Sequence, residues 1–353
     1  LPLVSVIITS KNEHKTIERC IMSILDQNYP RFEIIHVDAK SSDGTFKIAE
    51  KLGSLLESRN KCIRYKSISI DAPTAGKGRN FGVTKADGSV IAFTDGDCVA
   101  EPDWLINSVR ALSVKTGMVG GPNIIKHFKN SGVTRAIDLV TPTYLGSGGS
   151  PQFYKIDRVT EVYAVPCCNM VVKRSLFENI GGFNEKLRYN EDSDICIRIR
   201  KKGYKIIYDP KAIIHHFSGL DSFKEFVNFC NRYGYQRGNN AAGNLELFTK
   251  FNALSLIVIA TIASLLILSF IHSTFATLLI LLIGSIVLML VVITLIVGIR
   301  NKRLKSFFFI FSIFPTLHIT YTCSFILGYL IGLKKIILHK ELPSEINSDK
   351  RQN

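Results

Sequence analysis

Val90-Ile91-Ala92-Phe93-Thr94, running into Asp95-Gly96-Asp97, is the stretch that decides the fold. The apolar run is bounded by Asp87-Gly88 and Asp95-Gly96, which predicts a buried strand of a parallel sheet. Two carboxylates one residue apart then arrive just past its carboxyl end, where open α/β sheets bind ligands. Carboxylates suit a hard divalent ion, Mg²⁺ or Mn²⁺, and such an ion suits the oxygens of a diphosphate. An isolated Asp-x-Asp is most often a surface turn, so the weight rests on its surroundings.

Working outward, Leu3–Thr9 and Phe32–Asp38 are further apolar strands, and Ile63–Ile70 is a third. Between the first two, Ile17, Cys20, Ile21, Ile24 and Leu25 fall at helical spacing, and Ser41-Ser42-Asp43-Gly44-Thr45 turns into another helix. Gly76-Lys77-Gly78-Arg79-Asn80 opens the helix that precedes Val90. Strands alternating with helices of this length predict a doubly wound parallel sheet. Farther on, a helix at 103–116 and strands at Met118–Gly120, Val162–Val172 (interrupted by Pro166) and Tyr204–Tyr208 are expected, with a helix from Asn190 to Lys202. The cluster Gly146-Ser147-Gly148-Gly149 reads as a loop.

The composition changes along the 353 residues. After Ala253 the chain is almost wholly apolar. Leu254–Ile271 and Phe275–Val297 are each long enough to cross a bilayer, and their short link predicts an antiparallel hairpin. Phe307–Leu333 carries Pro315 and His318 and reads either as one kinked span or as an interfacial segment followed by a span. The basic loop Arg300–Lys305 places residues 1–249 in the cytoplasm by the positive-inside rule. A full third span would put Lys334, Lys335 and Lys340 outside, against that rule; a re-entrant segment would not. Leu3–Thr9 lacks a basic flank and is too short for a secretory signal. The eight cysteines are scattered, without a Cys-x-x-Cys pair, and read as reduced thiols. The net charge of +15 is accounted for by anionic head groups rather than nucleic acid. The expected organisation is a catalytic domain at 1–220, an amphipathic juxtamembrane region at 221–253, transmembrane helices at 254–338 and a polar tail at 339–353. The apolar stripe within Asp221–Tyr235 would lie in the lipid interface or pack on the catalytic domain.

Several residues are candidates for chemistry. Asp38 ends a strand in the same crevice as Asp95 and Asp97, where it would accept a hydrogen bond from a base or ribose or cap the following turn. Lys77 and Arg79, at a helix amino terminus, are placed for phosphate contacts. Glu191 and Asp192 start a helix, where acidic residues also serve the dipole, and either is a candidate general base. His215 and His216 end the run Ala212-Ile213-Ile214, and one of them is a candidate metal ligand beside Asp97; His216 is preferred. Arg232 and Arg237, in Arg232-Tyr233-Gly234-Tyr235-Gln236-Arg237-Gly238, could face a diphosphate leaving group.

Taken in order, Ser10-Lys11-Asn12-Glu13, Val37-Asp38, Ser42-Asp43-Gly44-Thr45, Gly76-x-Gly78-Arg79-Asn80-x-Gly82, Asp95-x-Asp97, Gly181-Gly182-Phe183-Asn184-Glu185 and Glu191-Asp192 resemble glycosyltransferase family 2 over residues 3–240. The trailing apolar helices resemble its branch that extends exopolysaccharides or archaeal lipid-linked glycans. The resemblance implies the GT-A fold and inverting transfer from a nucleotide-diphospho sugar. It implies that Thr9, Lys11, Glu13 and Asp38 lie on the donor side, Asp95 near the ribose or sugar, Asp97 on the divalent cation, and Asp192 as base. Lys11 stands where many members carry an aromatic residue, and Ala39 replaces a common acidic one.

The expected partners are the nucleotide sugar, a lipid-linked saccharide acceptor and membrane lipids. A polyprenyl-phosphate glycosyltransferase is the nearest rival. Its acceptor is already anionic and needs no base, so Glu191-Asp192 favours a hydroxyl acceptor. A processive polysaccharide synthase typically carries a Gln-x-x-Arg-Trp motif, whereas the single tryptophan here is Trp104.

Overall fold

The computed structural model describes residues 1–58, 64–148, 150, 153 and 156–341. The chain divides into two units, Leu1–Ser222 and Phe223–Asn353.

In the first unit the order is β1 (Val4–Ser10), α1 (Ile17–Leu25), β2 (Phe32–Asp38), α2 (Thr45–Ser58), β3 (Tyr65–Ser69), α3 (Ala75–Thr84) and β4 (Val90–Asp95). Next come β5 (Cys98–Ala100), α4 (Trp104–Ala111), β6 (Thr116–Gly120), β7 (Asn123–Lys126), α5 (Gly132–Val140) and α6 (Tyr144–Ser147). The unit ends with β8 (Thr160–Glu161), β9 (Met170–Lys173), α7 (Arg174–Asn179), α8 (Glu191–Lys201), β10 (Lys205–Tyr208) and β11 (Ile214–Phe217).

Eight strands form one sheet in the order β3-β2-β1-β4-β9-β6-β10-β8, and β5-β11-β7 form a smaller one. The apolar strands are continuous because both faces are covered. Val6 and Ile8 of β1 pack with Ile17, Ile21, Ile24 and Trp104 on one side. On the other, Ile7, Ile91 and Phe93 pack with Val83, Phe177, Phe183, Ile195 and Ile199. The parallel register sets Ser10 beside Asp38 and Thr9 beside Asp95. One sheet edge therefore collects the side chains that the sequence pattern singled out.

Two expectations are corrected here. The sheet is mixed, because β9 runs antiparallel to both β4 and β6, and β8 antiparallel to β10. Val162–Val172 is not one strand: Pro166, which has no N–H to donate, precedes a 3₁₀ turn at Cys167–Asn169, and only Met170–Lys173 joins the sheet. Buried Asn169 fixes that turn, accepting from Trp104 Nε1 at 2.9 Å and donating to the carbonyls of Pro122 and Ala212. Ile63 and Gly149, parts of two expected segments, lie outside the described residues, as does the tail from residue 342.

The second unit comprises α9 (Phe223–Ala241), α10 (Lys250–Ser269), α11 (Ser273–Arg300) and α12 (Phe307–Glu341). Three of its helical segments, Lys250–Ser269, Ser273–Arg300 and Leu304–Leu338, are long and apolar enough to cross a membrane. The third apolar stretch is one continuous helix with Pro315 inside it. Within this unit the amphipathic segment before the apolar helices, α9, packs on α12. Its buried stripe, with Gly234 and Gly238, meets α12, where a Cβ on either glycine would collide with the carbonyl of Tyr321 or Phe325. Gly328 and Gly332 answer from α12 against Tyr235 and Asn239. Two Gly-x-x-x-Gly pairs thus bring the helix backbones together, as small residues do between apolar helices.

Candidate active site

The site is built on the tight turn after β4. Gly96 is buried there, its amide donating to Thr9 O at 2.8 Å, and a Cβ would stand 2.9 Å from that of Ser10. The turn holds Asp95 toward β1 and Asp97 toward β11. Thr9 Oγ1 donates to Asp95 Oδ1 at 3.0 Å.

Arg79 carries two ion pairs that its place at a helix start did not announce. Its side chain is only 4% exposed, and its guanidinium donates to Asp95 Oδ1 at 2.7 Å and to Glu191 Oε1 at 2.8 Å. Arg79 is also among the residues that line the cavity described below. The guanidinium also lies over the Phe183 ring at 5.6 Å from the centroid. Burial raises the Glu191 carboxyl, and neighbouring Asp192 adds to the rise, while Arg79 opposes it. Glu191 is thus engaged as the far end of a buried clamp joining α3, β4 and α8, which weakens its candidacy as base. Asn190, at φ 63, takes the left-handed turn that starts α8. Asp192, in the first turn, accepts from the Ser193 amide at 2.6 Å. Burial pushes the Cys167 thiol up, and the charges of Glu191, Asp192 and Asp95 add to the rise. Because Arg79 pairs with both Asp95 and Glu191, the first turn of α8, which also carries Asp192, is tied to the turn after β4.

On the other side, the two histidines lie inside β11 rather than after a strand, and pleating separates them. His216 Nε2 is 3.0 Å from Asp97 Oδ2, whereas His215 Nε2 meets Glu101 Oε1 at 2.5 Å. Burial opposes charge on His216, but Asp97 outweighs it and lifts the imidazolium to about 10. Burial likewise opposes ionisation of Asp97, and His216 overcomes it, holding that carboxyl below its usual range. The other His216 nitrogen, Nδ1, lies 3.4 Å from Asn123 Nδ2, and Asn123 Oδ1 is buried without a hydrogen-bond partner. Rotating the amide would let Oδ1 accept from Nδ1–H and fix the ring with Nε2 facing Asp97.

Glu13 faces the same point. Burial, then repulsion from Asp97 and Asp95, pushes its carboxyl up to about 8. A divalent cation among Asp97, Glu13 and His216 would relieve that repulsion, and carboxylate oxygens with one imidazole are a donor set Mn²⁺ or Mg²⁺ accepts. The residues fit the ion that the sequence pattern implied.

A cavity of about 510 Å³ opens beside these groups, lined by Thr9, Lys11, Ala39, Asp71, Asp97 and Arg188 among others. Its size is in the usual range for a ligand pocket, about 300–1,000 Å³. Asp38 is not on its wall. Fully buried, it accepts from Ser10 Oγ, the Ser41 amide and Ser69 Oγ, and so shapes the loop whose Ala39 and Lys40 do line the cavity. Lys11 Nζ donates to the carbonyls of Ala39 and Lys40, closing the same loop. Exposed Lys77 is not among the lining residues. Arg232 and Arg237 belong to α9 of the second unit, where Arg237 Nε donates to Leu247 O at 2.9 Å. Sequence reasoning missed Asp71, Arg188 and Asn123. Arg188 lies between the Gly181-Gly182 and Glu191-Asp192 motifs, a position that could have flagged it; the other two depend on strand register.

The family model described as Glycosyl transferase family 2 matches residues 5–181, half of the chain. The "Probable glycosyltransferase YdaM" of Bacillus subtilis (strain 168) is 29% identical over 263 residues, covering 72% of this chain and 58% of that protein. The "Dolichyl N-acetyl-alpha-D-glucosaminyl phosphate 3-beta-D-2,3-diacetamido-2,3-dideoxy-beta-D-glucuronosyltransferase" of Methanococcus voltae is 24% identical over 247 residues, 67% of this chain and 73% of that one. Among solved structures, the mannosyltransferase PcManGT from Pyrobaculum calidifontis, in complex with GDP-Man and Mn²⁺, gives a TM-score of 0.62 at 18% identity. It covers 93% of this chain and 87% of its own. This likeness shows the fold, the GT-A type.

Proposed function

We propose, for a chain that belongs to glycosyl transferase family 2, inverting transfer of one sugar from a nucleotide-diphospho sugar to a hydroxyl of a lipid-linked saccharide. The observation that carries this reading is the meeting of Asp97 with His216 beside a cavity that Glu13 also lines, with Arg79 tying Asp95 to Glu191, the neighbour of Asp192. In this reading the nucleotide occupies the cavity against Ala39, Lys40 and Asp71. Asp97, Glu13 and His216 would hold a divalent cation, which when bound supplies charge stabilisation to the departing diphosphate. Asp192 accepts the acceptor hydroxyl proton as the oxygen attacks the sugar in line. Arg79 keeps Asp95 and α8 in register.

The lipid-linked acceptor is supported by the name of the Methanococcus voltae relative, whose substrate is a saccharide carried on dolichyl phosphate. Three helices long and apolar enough to cross a membrane support attachment to the cell membrane. The basic loop at Arg300–Lys305 supports a cytoplasmic face for the catalytic unit.

The test presents the purified full chain with a panel of nucleotide sugars, Mn²⁺ or Mg²⁺, and two acceptors: a lipid-linked saccharide and a bare polyprenyl phosphate. Extension of the saccharide is the expected product. Transfer to the bare phosphate alone would replace this reading with the polyprenyl-phosphate one.

A further inference from the structure

Two cysteines that the proposed reaction does not use sit behind its cation site. Cys98 follows Asp97 directly, and strand pairing sets it beside His216. Cys168 enters from the turn before β9. The ligand atoms of Cys98, Cys168 and His216 all lie within 4.8 Å of one another. Asp97 joins them, with Oδ1 3.4 Å from Cys98 Sγ and Oδ2 3.0 Å from His216 Nε2. The thiols are buried, 1% and 4% exposed, whereas the Asp97 and His216 side chains reach solvent.

The two halves of this cluster favour different metals. Mg²⁺ and Mn²⁺ take oxygen donors and leave thiols alone; two sulfurs, an imidazole and one carboxylate make a tetrahedral set for Zn²⁺. Zinc with sulfurs at about 2.3 Å holds them a little under 4 Å apart, so only a small contraction is needed. We propose that Asp97, Cys98, Cys168 and His216 form a thiolate site for Zn²⁺ that overlaps the diphosphate-side cation site and, when filled, excludes it. The overlap rests on the reading of Asp97 and His216 given above; the zinc site itself rests on the four donors. As each Zn–S bond forms, the thiol proton passes to solvent, and His216 gives up its imidazolium proton. The filled site carries one net negative charge beside the place of the diphosphate, and Asp97 is no longer available to a second ion.

The reduced full chain is titrated with Co²⁺ as a spectroscopic probe and with Zn²⁺ in a competition assay for bound metal. One Co²⁺ per chain with a thiolate-to-metal charge-transfer band, displaced by Zn²⁺, is the expected result. Cys168→Ser should lose the band and bind zinc at least roughly tenfold more weakly, the lower end of what loss of even an outer partner costs a metal site. Zinc should block Mn²⁺-supported transfer in the parent and do so at correspondingly higher concentration in Cys168→Ser. A cobalt spectrum without the band in the unaltered chain would overturn the proposal, whatever the variant does. Absence of Mn²⁺-supported transfer in the zinc- and cobalt-free parent chain, with the band forming normally on adding Co²⁺, would instead count against the catalytic reading alone.

Discussion

Arg79 donates to Glu191 Oε1 across 2.8 Å, and the other arm of its guanidinium holds Asp95 Oδ1 at 2.7 Å. A single buried cation thus links the Asp95-Gly96-Asp97 turn to the helix that carries Asp192. Arg79→Ala would strand two carboxylates of low exposure, and breaking such a pair from one side costs about 3–5 kcal/mol. For a unit of this size that lowers the unfolding midpoint by roughly 6–20 °C, read by calorimetry. Glu191→Gln, which still accepts from Arg79, should cost much less. Equal midpoints for Arg79→Ala and the parent chain would show that the clamp contributes nothing.

Asp97→Ala removes the carboxylate on which His216 and the proposed cation both depend. Transfer should fall to background, Mn²⁺ binding followed by electron paramagnetic resonance should weaken, and the donor should bind less tightly. EDTA should reproduce the loss in the parent chain, and added Mn²⁺ should restore it. Full turnover in EDTA would remove the cation from the mechanism.

How much of this was legible in the sequence follows from which interactions are local. Val4–Ser10, Phe32–Asp38 and Val90–Asp95 were readable because burial on both faces makes a strand continuously apolar. Helix α1 was readable because Ile17, Cys20, Ile21, Ile24 and Leu25 keep helical spacing, and all five are buried. The reversed direction of β9 was not, since only pairing with β4 and β6 sets it. Arg79 was legible as a candidate site cation from its place at a helix start, but its ion pairs were not. Its partners lie 16 and 112 residues away, and nothing local announces them. The His215–His216 choice likewise waited on β11, whose alternation sends one ring to Glu101 and the other to Asp97.

His36 gives the catalytic unit an acid-side weakness. It is fully buried between Ser10 Oγ and Ser67 Oγ, each at 2.8 Å, and burial lowers its pKa to about 4, with Asp38 pulling the other way. Above about 6.5 both folded and unfolded chains hold it neutral, and its contribution is intact. As the pH falls toward 4 the unfolded chain takes up the proton and the folded one resists, so stability drains by up to about 3 kcal/mol. Unfolding midpoints measured from pH 7 to 4 should therefore drop more steeply in the parent than in His36→Gln. Parallel curves would assign the acid loss elsewhere.

A chain ending at Ser222 keeps both faces of the large sheet covered and should be soluble and monodisperse by size-exclusion chromatography. One ending at Thr249 keeps α9 but removes α12, leaving the Gly234–Gly238 stripe and its apolar neighbours without their partner. That longer form should aggregate or require detergent. If both fragments behave alike in aqueous buffer, the packing of α9 on α12 is not what keeps that stripe covered.

Asp192 carries the most discriminating test of the proposed chemistry. Asp192→Asn keeps the shape of the side chain, its acceptor for the Ser193 amide and its place in the first turn of α8, but it cannot take a proton. Donor affinity should be nearly unchanged, because the proposed base meets the acceptor hydroxyl rather than the diphosphate. The rate of transfer should fall by roughly a hundred- to ten-thousand-fold, the usual size of a general-base contribution. Glu191→Gln belongs in the same experiment: as one end of the Arg79 clamp it should shift the unfolding midpoint more than Asp192→Asn and the rate less. Reversal of that pattern would make Glu191 the base. If both variants transfer at close to the parent rate, no carboxylate here is needed to deprotonate the acceptor, and an acceptor that is already an anion, such as a polyprenyl phosphate, becomes the better account.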